Sequence, residues 1–330
     1  MKKILVFSVL YCLVTYAGAT SYDDCILSKV SGAENKEPIQ TIKDSCRILT
    51  QTDNDDAVPN GAISKRFLAE SQTQWNRHSI TAHKQNYILP YTHSDKVNRS
   101  AYEAFGGWKE ELKHYEAKFQ LSIKVPLTSE SIFTGADALY FGVTLQSWWQ
   151  LYAGDISAPF RETNYQPEVF YLTATNWRPF GGGTGLMVGI EHQSNGRTQL
   201  LSRSWNRVYT SFLFEKDNFA FSLRPWYRIR EDAKEDADDT NGDDNPDIEK
   251  FMGHFELRSA YRWNNHEFSL LGRNNLRSEN KGAVELGWSF PLSGHLKGYI
   301  QYFNGYGESL VDYRHSTERL GIGILLTDLL

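Results

Sequence analysis

Phe119-Gln120-Leu121-Ser122-Ile123-Lys124-Val125 alternates apolar and polar residues without a break. A helix, repeating every 3.6 residues, would scatter these side chains around its axis. A strand gathers Phe119, Leu121, Ile123 and Val125 on one face, because successive side chains point to opposite sides. The same period recurs along the chain. Leu139, Phe141, Val143 and Leu145 alternate with Tyr140, Gly142, Thr144 and Gln146, and Val284, Leu286, Trp288 and Phe290 with Glu285, Gly287 and Ser289. Phe219, Phe221 and Leu223 do the same against Ser222 and Arg224. Working outward, we expect twelve strands, near 82–92, 114–127, 138–152, 166–176, 184–194, 203–214, 219–230, 250–262, 266–275, 281–290, 295–304 and 317–327. An even number is what a closed antiparallel barrel needs.

The connections bear on the same point. After even-numbered segments they are mostly short, as at Glu215-Lys216-Asp217-Asn218, Trp263-Asn264-Asn265 and Pro291-Leu292-Ser293-Gly294. The long ones, 93–113, 153–165, the acidic 231–249 and 305–316, follow odd-numbered segments. Outer-membrane barrels have short periplasmic turns and longer extracellular loops, which would put the 195–202 turn outside the cell. A soluble β-sandwich alternates in the same way, but it does not account together for this loop asymmetry, an export signal and a heavy aromatic load.

Those last two features are plain. Residues 1–19 have the layout of a secretory signal: Lys2 and Lys3, an apolar run from Ile4 to about Val14, then Ala17-Gly18-Ala19. Aromatic residues make up 14% of the chain, with 9 Trp and 18 Tyr, types that girdle barrels at the membrane interface. Beyond the signal no stretch approaches the ~18 consecutive apolar residues a membrane helix requires, whereas a spanning strand needs only about 9–11. Charged residues at 23% and a formal charge of −5 exclude a disordered chain and a basic nucleic-acid binder. Residues 20–80, with Asp53-Asn54-Asp55-Asp56 and Pro59-Asn60-Gly61, lack apolar periodicity and read as a mostly irregular periplasmic extension. Cys12 lies in the signal, and Cys25 and Cys46 in the extension. An even pair in an exported protein reads as a disulfide rather than a metal site or a catalytic thiol. The expected fold is therefore all-β: a twelve-stranded antiparallel transmembrane barrel over residues 81–330.

The chemistry concentrates in one hairpin. Residues 192–206 read His-Gln-Ser-Asn-Gly-Arg-Thr-Gln-Leu-Leu-Ser-Arg-Ser-Trp-Asn. The apolar series Leu186, Val188, Ile190 continues in step to His192 and Ser194, and Asn206 shares a face with Val208, Phe212 and Phe214. All three polar residues thus fall on the outward, lipid-facing side, where an unpaired polar group is costly. A hairpin centred near residue 199 sets His192 opposite Asn206, and His192 and Ser194 share a face about 6.6 Å apart along the strand. Histidine can deprotonate the Ser194 hydroxyl while the Asn206 amide accepts from the far ring nitrogen and fixes its tautomer.

The same blocks resemble a known family. His-Gln-Ser-Asn-Gly-Arg (192–197), Ser-Arg-Ser-Trp-Asn-Arg (202–207), Pro-Phe-Arg-Glu-Thr-Asn-Tyr (159–165), Asp-Asn-Pro-Asp-Ile (244–248) and Tyr-Gly-Glu-Ser-Leu-Val-Asp-Tyr (306–313) are similar to outer-membrane phospholipase A, in order and at consistent spacing. The resemblance implies a calcium-dependent, homodimeric lipase of the Gram-negative outer membrane. Such an enzyme releases fatty acids from either position of a phospholipid and from lysophospholipids. It makes Ser194 the nucleophile, His192 the base and Asn206 the orienting amide. It assigns calcium to the main-chain oxygen of Arg197 and the hydroxyl of Ser202, with Ser157 of the partner subunit. The oxyanion would then be held by the Ser194 N–H and calcium-bound water. Two positions depart from the family pattern: Leu145 stands where some members carry an interface glutamine, and the chain ends in Leu330 rather than an aromatic residue.

Each residue also has a plainer reading. A lone His-x-Ser is usually coincidence, Ser202 and Ser157 can cap turns, and Arg161 and Glu162 can be a solvated ion pair. Asp239-Thr240-Asn241-Gly242-Asp243 looks like half an EF-hand but fails the count, since its first and twelfth ligand positions would be Ala237 and Ile248. A passive porin or an adhesin barrel is the rival function. On the enzyme reading, calcium ligands split between subunits would make activity wait for dimerisation, driven by outward residues such as Leu139, Phe141 and Leu145.

Overall fold

The computed structural model describes residues 80–328 except 106, 129, 130, 135, 136, 198, 237, 238, 240, 241 and 295. The signal at 1–19, the extension up to residue 79, the Cys25–Cys46 pair and Leu330 lie outside the described residues. Twelve strands form a closed antiparallel barrel. They are β1 Asn86–His93, β2 Tyr115–Pro126, β3 Asp137–Trp149, β4 Phe160–Thr175, β5 Gly183–Ser194 and β6 Ser204–Lys216, followed by β7 Phe219–Ile229, β8 Phe255–Trp263, β9 His266–Asn274, β10 Gly282–Ser293, β11 Leu296–Tyr306 and β12 Ser316–Thr327. Each pairs with the next, and β12 returns to β1 with Leu320 opposite His93 and Ile324 opposite Ile88. Closure leaves no open sheet edge, which hydrocarbon would not tolerate. Thr81–Ala82 adds a short ladder to β2 beyond a break in β1's line.

The quoted stretch lies inside out by the standards of a soluble protein. Leu121 and Ile123 are 47% and 44% exposed, while Ser122 and Lys118 are at 0%. Leu286, Leu320 and Ile322 are exposed in the same way on other strands. In water, such a wall would forgo roughly 1.5–3 kcal/mol for each large apolar side chain left unburied. Facing acyl chains it forgoes nothing, so the sandwich reading falls. Within the barrel, buried Lys118, Glu308 and Arg319 are paired. Lys118 Nζ donates to Gln301 Oε1 at 2.8 Å and Glu308 Oε1 at 3.1 Å, and Arg319 Nε to Glu308 Oε2 at 2.9 Å. Glu308 belongs to the 307–315 loop, which these bonds draw into the lumen.

The short turns follow backbone chemistry. Lys216 pairs with Phe219 and Trp263 with His266 across two-residue turns, led by Asp217 and Asn264, each at φ 52°. Asn and Asp tolerate that left-handed conformation, which matches the twist of tight hairpins. Two expected boundaries miss by five residues or more. The segment expected from residue 250 begins only at Phe255, because Glu249–Met252 forms a helical turn, α1. Ile248 and Met252, four residues apart, both enter the aromatic core inside the barrel, and Gly253 at φ 71° ends the turn. β4 starts at Phe160 rather than near 166, since Arg161, Glu162 and Asn164 are buried polar residues with no apolar period to reveal a strand.

Candidate functional site

The β5–β6 hairpin sets His192 directly opposite Asn206 and Ser194 opposite Ser204. Val188, Ile190, Val208 and Phe212 on the same parity are exposed, whereas Glu191, Trp205 and Arg207 are buried. The three candidate side chains therefore stand on the outer wall, at the end where the hairpin carries its loop. Behind them the inner face is braced. Trp205 Nε1 donates to Gln193 Oε1 at 2.8 Å, Arg207 stacks 3.8 Å over the Trp205 ring, and Arg207 pairs with Glu191.

His192 Nδ1 lies 2.8 Å from Asn206 Oδ1. The amide oxygen only accepts, so Nδ1 carries the proton and Nε2 is left as the base. Asn206 Nδ2 donates in turn to Glu231 Oε1 at 2.7 Å. Among the described residues no hydrogen bond joins the Ser194 hydroxyl to His192. Free-enzyme geometry of this kind commonly tightens only when substrate is bound.

The 195–203 loop is built on Asn195, which is 3% exposed. Its Nδ2 donates to Leu201 O at 2.7 Å and Glu162 Oε2 at 3.3 Å, and its Oδ1 accepts from Arg203 N at 3.0 Å and Arg197 N at 3.3 Å. Arg197 is held from the other side by Nη2 donating to Phe160 O at 2.6 Å and Arg161 O at 3.0 Å. Glu162 and Asn164 accept from Val311 N at 3.2 Å and Leu310 N at 2.9 Å. Arg161 donates to Asp312 Oδ2 at 2.9 Å and pairs with Glu116 at 2.9 Å. The solvated-pair reading of Arg161 and Glu162 is thus overturned: both are buried, and they tie the 195–203 and 307–315 loops to β4 and β2.

Ser202 Oγ donates to Asp244 Oδ2 at 2.6 Å, and Lys234 Nζ lies 2.7 Å from Asp244 Oδ1. Asn245, next along, accepts from Ser204 N at 3.0 Å. Asp247 takes bonds from Tyr313 Oη at 2.7 Å and Arg314 Nη2 at 2.8 Å. Burial raises the Asp247 pKa, but these bonds outweigh it and hold the carboxyl below the usual range; burial and Asp247 push the Tyr313 phenol up. Ser157 sits elsewhere, after the turn Gly154–Ile156, at φ 60° with Ala158 at φ 45°. Two successive non-glycine residues in that region store strain, which the surrounding loop must hold in place.

The donor set suits calcium. The Arg197 carbonyl and Ser202 hydroxyl would be oxygen donors without charge, and Asp244 would add the carboxylate that a hard cation needs. The sequence reading missed Asp244, Asn195 and Glu231. Asp244 stood in a block already singled out, but only the fold shows that it meets Ser202.

Fold and site together define a transmembrane β-barrel with a Ser-His-Asn constellation on its outer wall. Residues 63–326 match the family model of phospholipase A1. The phospholipase A1 of Escherichia coli K12 is 37% identical over 278 residues, covering 84% of this chain and 90% of that one. Outer membrane phospholipase A from Escherichia coli superposes with a TM-score of 0.69 at 38% identity, over 76% of this chain and 100% of that one. The Salmonella typhi outer membrane phospholipase, a dimer with bound calcium, gives 0.71 at 36%, covering 80% and 98%. An active-site mutant of the Escherichia coli protein, with asparagine replaced by alanine, gives 0.72 at 36%, again over 80% and 98%. The chain belongs to the phospholipase A1 family.

Proposed function

We propose that this protein is a calcium-dependent phospholipase of the bacterial outer membrane. It hydrolyses the acyl esters of phospholipids, at the A1 and A2 positions, and of lysophospholipids. The observation that carries the reading is the 2.8 Å His192–Asn206 bond on a wall of exposed Val188, Ile190 and Val208. A base oriented among lipid-facing side chains has the membrane itself as substrate.

Ser194 attacks the ester carbonyl as His192 Nε2 takes its proton, and the imidazolium returns that proton to the leaving alcohol. Asn206 holds the ring so that Nε2, not Nδ1, meets the serine. An uncharged amide suits this boundary, where a bare carboxylate would be costly. The Arg197 carbonyl, Ser202 and Asp244 would hold calcium, which when bound would supply positive charge where the oxyanion develops. The donors belong to the 195–203 loop, which Asn195 holds beside the triad. Ser157 lies on a separate loop, in keeping with donation across a homodimer. Half-buried Leu145, beside exposed Leu121 and Phe141, makes the proposed dimer face apolar.

The porin or adhesin alternative has no support in the family, and buried ion pairs cross the lumen. The test is fatty-acid release from phospholipid vesicles by refolded protein with and without calcium. Ser194→Ala is expected to abolish release while leaving the barrel folded; activity surviving in that variant would overturn the reading.

A further inference from the structure

The Asn206 amide has two ends, and its wrong end facing His192 would present a donor to a donor. A symmetric pocket would leave the choice open, because the amide oxygen and nitrogen differ little in size. Glu231 removes the ambiguity. Its carboxylate lies 2.7 Å from Asn206 Nδ2 and can only accept, so the nitrogen is committed to Glu231 and the oxygen to His192.

Strand parity explains why it is there. Asn206 pairs with Ile229 across β6 and β7, and Tyr227 and Ile229 are exposed on the outer wall. Glu231 is two residues past Ile229, the last residue of β7, so the same alternation delivers its side chain to the outward face beside Asn206. It comes from the start of the 230–254 loop, outside the hairpin that carries the triad.

Building on the triad proposed above, we propose that Glu231 is a positioning residue of the active site, the fourth member of a chain running Ser194, His192, Asn206, Glu231. It orients the amide and places a negative charge behind it. The imidazolium formed during acyl transfer thus acquires, through the amide, the charge that a direct aspartate supplies in other triads. The carboxylate sits one residue further from the lipid-facing histidine, at the loop end of the barrel, where ionisation is less costly. Glu231 touches neither substrate nor the reacting atoms, so its effect must pass through Asn206.

The experiment is a double-mutant cycle with initial rates on mixed micelles at saturating calcium, using full-length refolded protein. Glu231→Ala is expected to lower kcat about 10- to 100-fold with KM unchanged, the usual loss when an orienting partner is removed. Glu231→Gln can still accept through its amide oxygen and should recover only the part of that loss that comes from orientation, leaving the part that comes from the missing charge. In an Asn206→Ala background, Glu231→Ala should cost nothing further, because its route to His192 is gone. Equal losses in both backgrounds, or a Glu231→Ala variant within twofold of wild type, would overturn the proposal. Ser194→Ala run in parallel separates the cases: if it stays active, the triad reading itself has failed.

Discussion

Replacing Asn195 by alanine tests how the loop beside the triad is held. The side chain lies 3% exposed and makes bonds of 2.7 Å to Leu201 O and 3.0 Å from Arg203 N, with longer ones of 3.3 Å to Glu162 and from Arg197 N. A net ~1 kcal/mol for each of the two short bonds, plus ~1–3 kcal/mol for stranding buried groups such as Leu201 O, puts the local cost at roughly 3–5 kcal/mol. None of it falls on the strand ladders, so the barrel should still form. It falls on the loop presenting the Arg197 carbonyl and Ser202. Water and rearrangement absorb part of the cost, and 1.4 kcal/mol corresponds to a factor of ten, so half-maximal activity should need at least about tenfold more calcium. Asn195→Asp should be worse than alanine, since it sets a second carboxylate beside Glu162 and loses both donors. The assay is fatty-acid release against free calcium, with the heat-modifiable gel shift as the check on folding. An alanine variant whose calcium curve coincides with wild type within twofold would refute this account of the loop.

Other outcomes follow from the same contacts. Lys234 competes for the Asp244 carboxylate, so Lys234→Gln should lower the half-saturating calcium about three- to tenfold, from roughly 1 kcal/mol of ion-pair competition, read by titration calorimetry. Unchanged affinity would show that the ammonium is no competitor. Leu121→Arg should cost ~2–4 kcal/mol of stability in lipid if Leu121 lies near the bilayer midplane, measured by equilibrium refolding into vesicles, whereas Leu121→Met should be near neutral. Asp247 has a depressed pKa in the folded protein, so its stabilising contribution is present above the ordinary aspartate range and is lost as pH falls through the depressed value. Hydrogen exchange in the 307–315 loop should therefore rise in strong acid, and Asp247→Asn should show that fast exchange already at neutral pH.

Strand alternation is a local property, and so most of the barrel was legible in residues such as Phe119 to Val125. Where inward residues are charged rather than small, as at Arg161 and Glu162, the period vanishes and the start of β4 went unseen. Ile248 and Met252 failed for the opposite reason: apolar residues at helical spacing beside a strand blurred the boundary of β8. His192, Ser194 and Asn206 could be brought together on paper because a single hairpin holds them, and antiparallel pairing converts sequence distance directly into register. Asp244 and Glu231 reach that hairpin from the 230–254 loop, and Glu162 from β4, so no spacing rule could have found them. The amino-acid sequence by itself determined the period, the number of strands, the outward face and the hairpin that brings His192 opposite Asn206, all of which depend on neighbours along the chain. The tertiary structure alone decided which carboxylates meet Ser202 and Asn206, because ring closure and loop packing bring together groups that local geometry leaves apart.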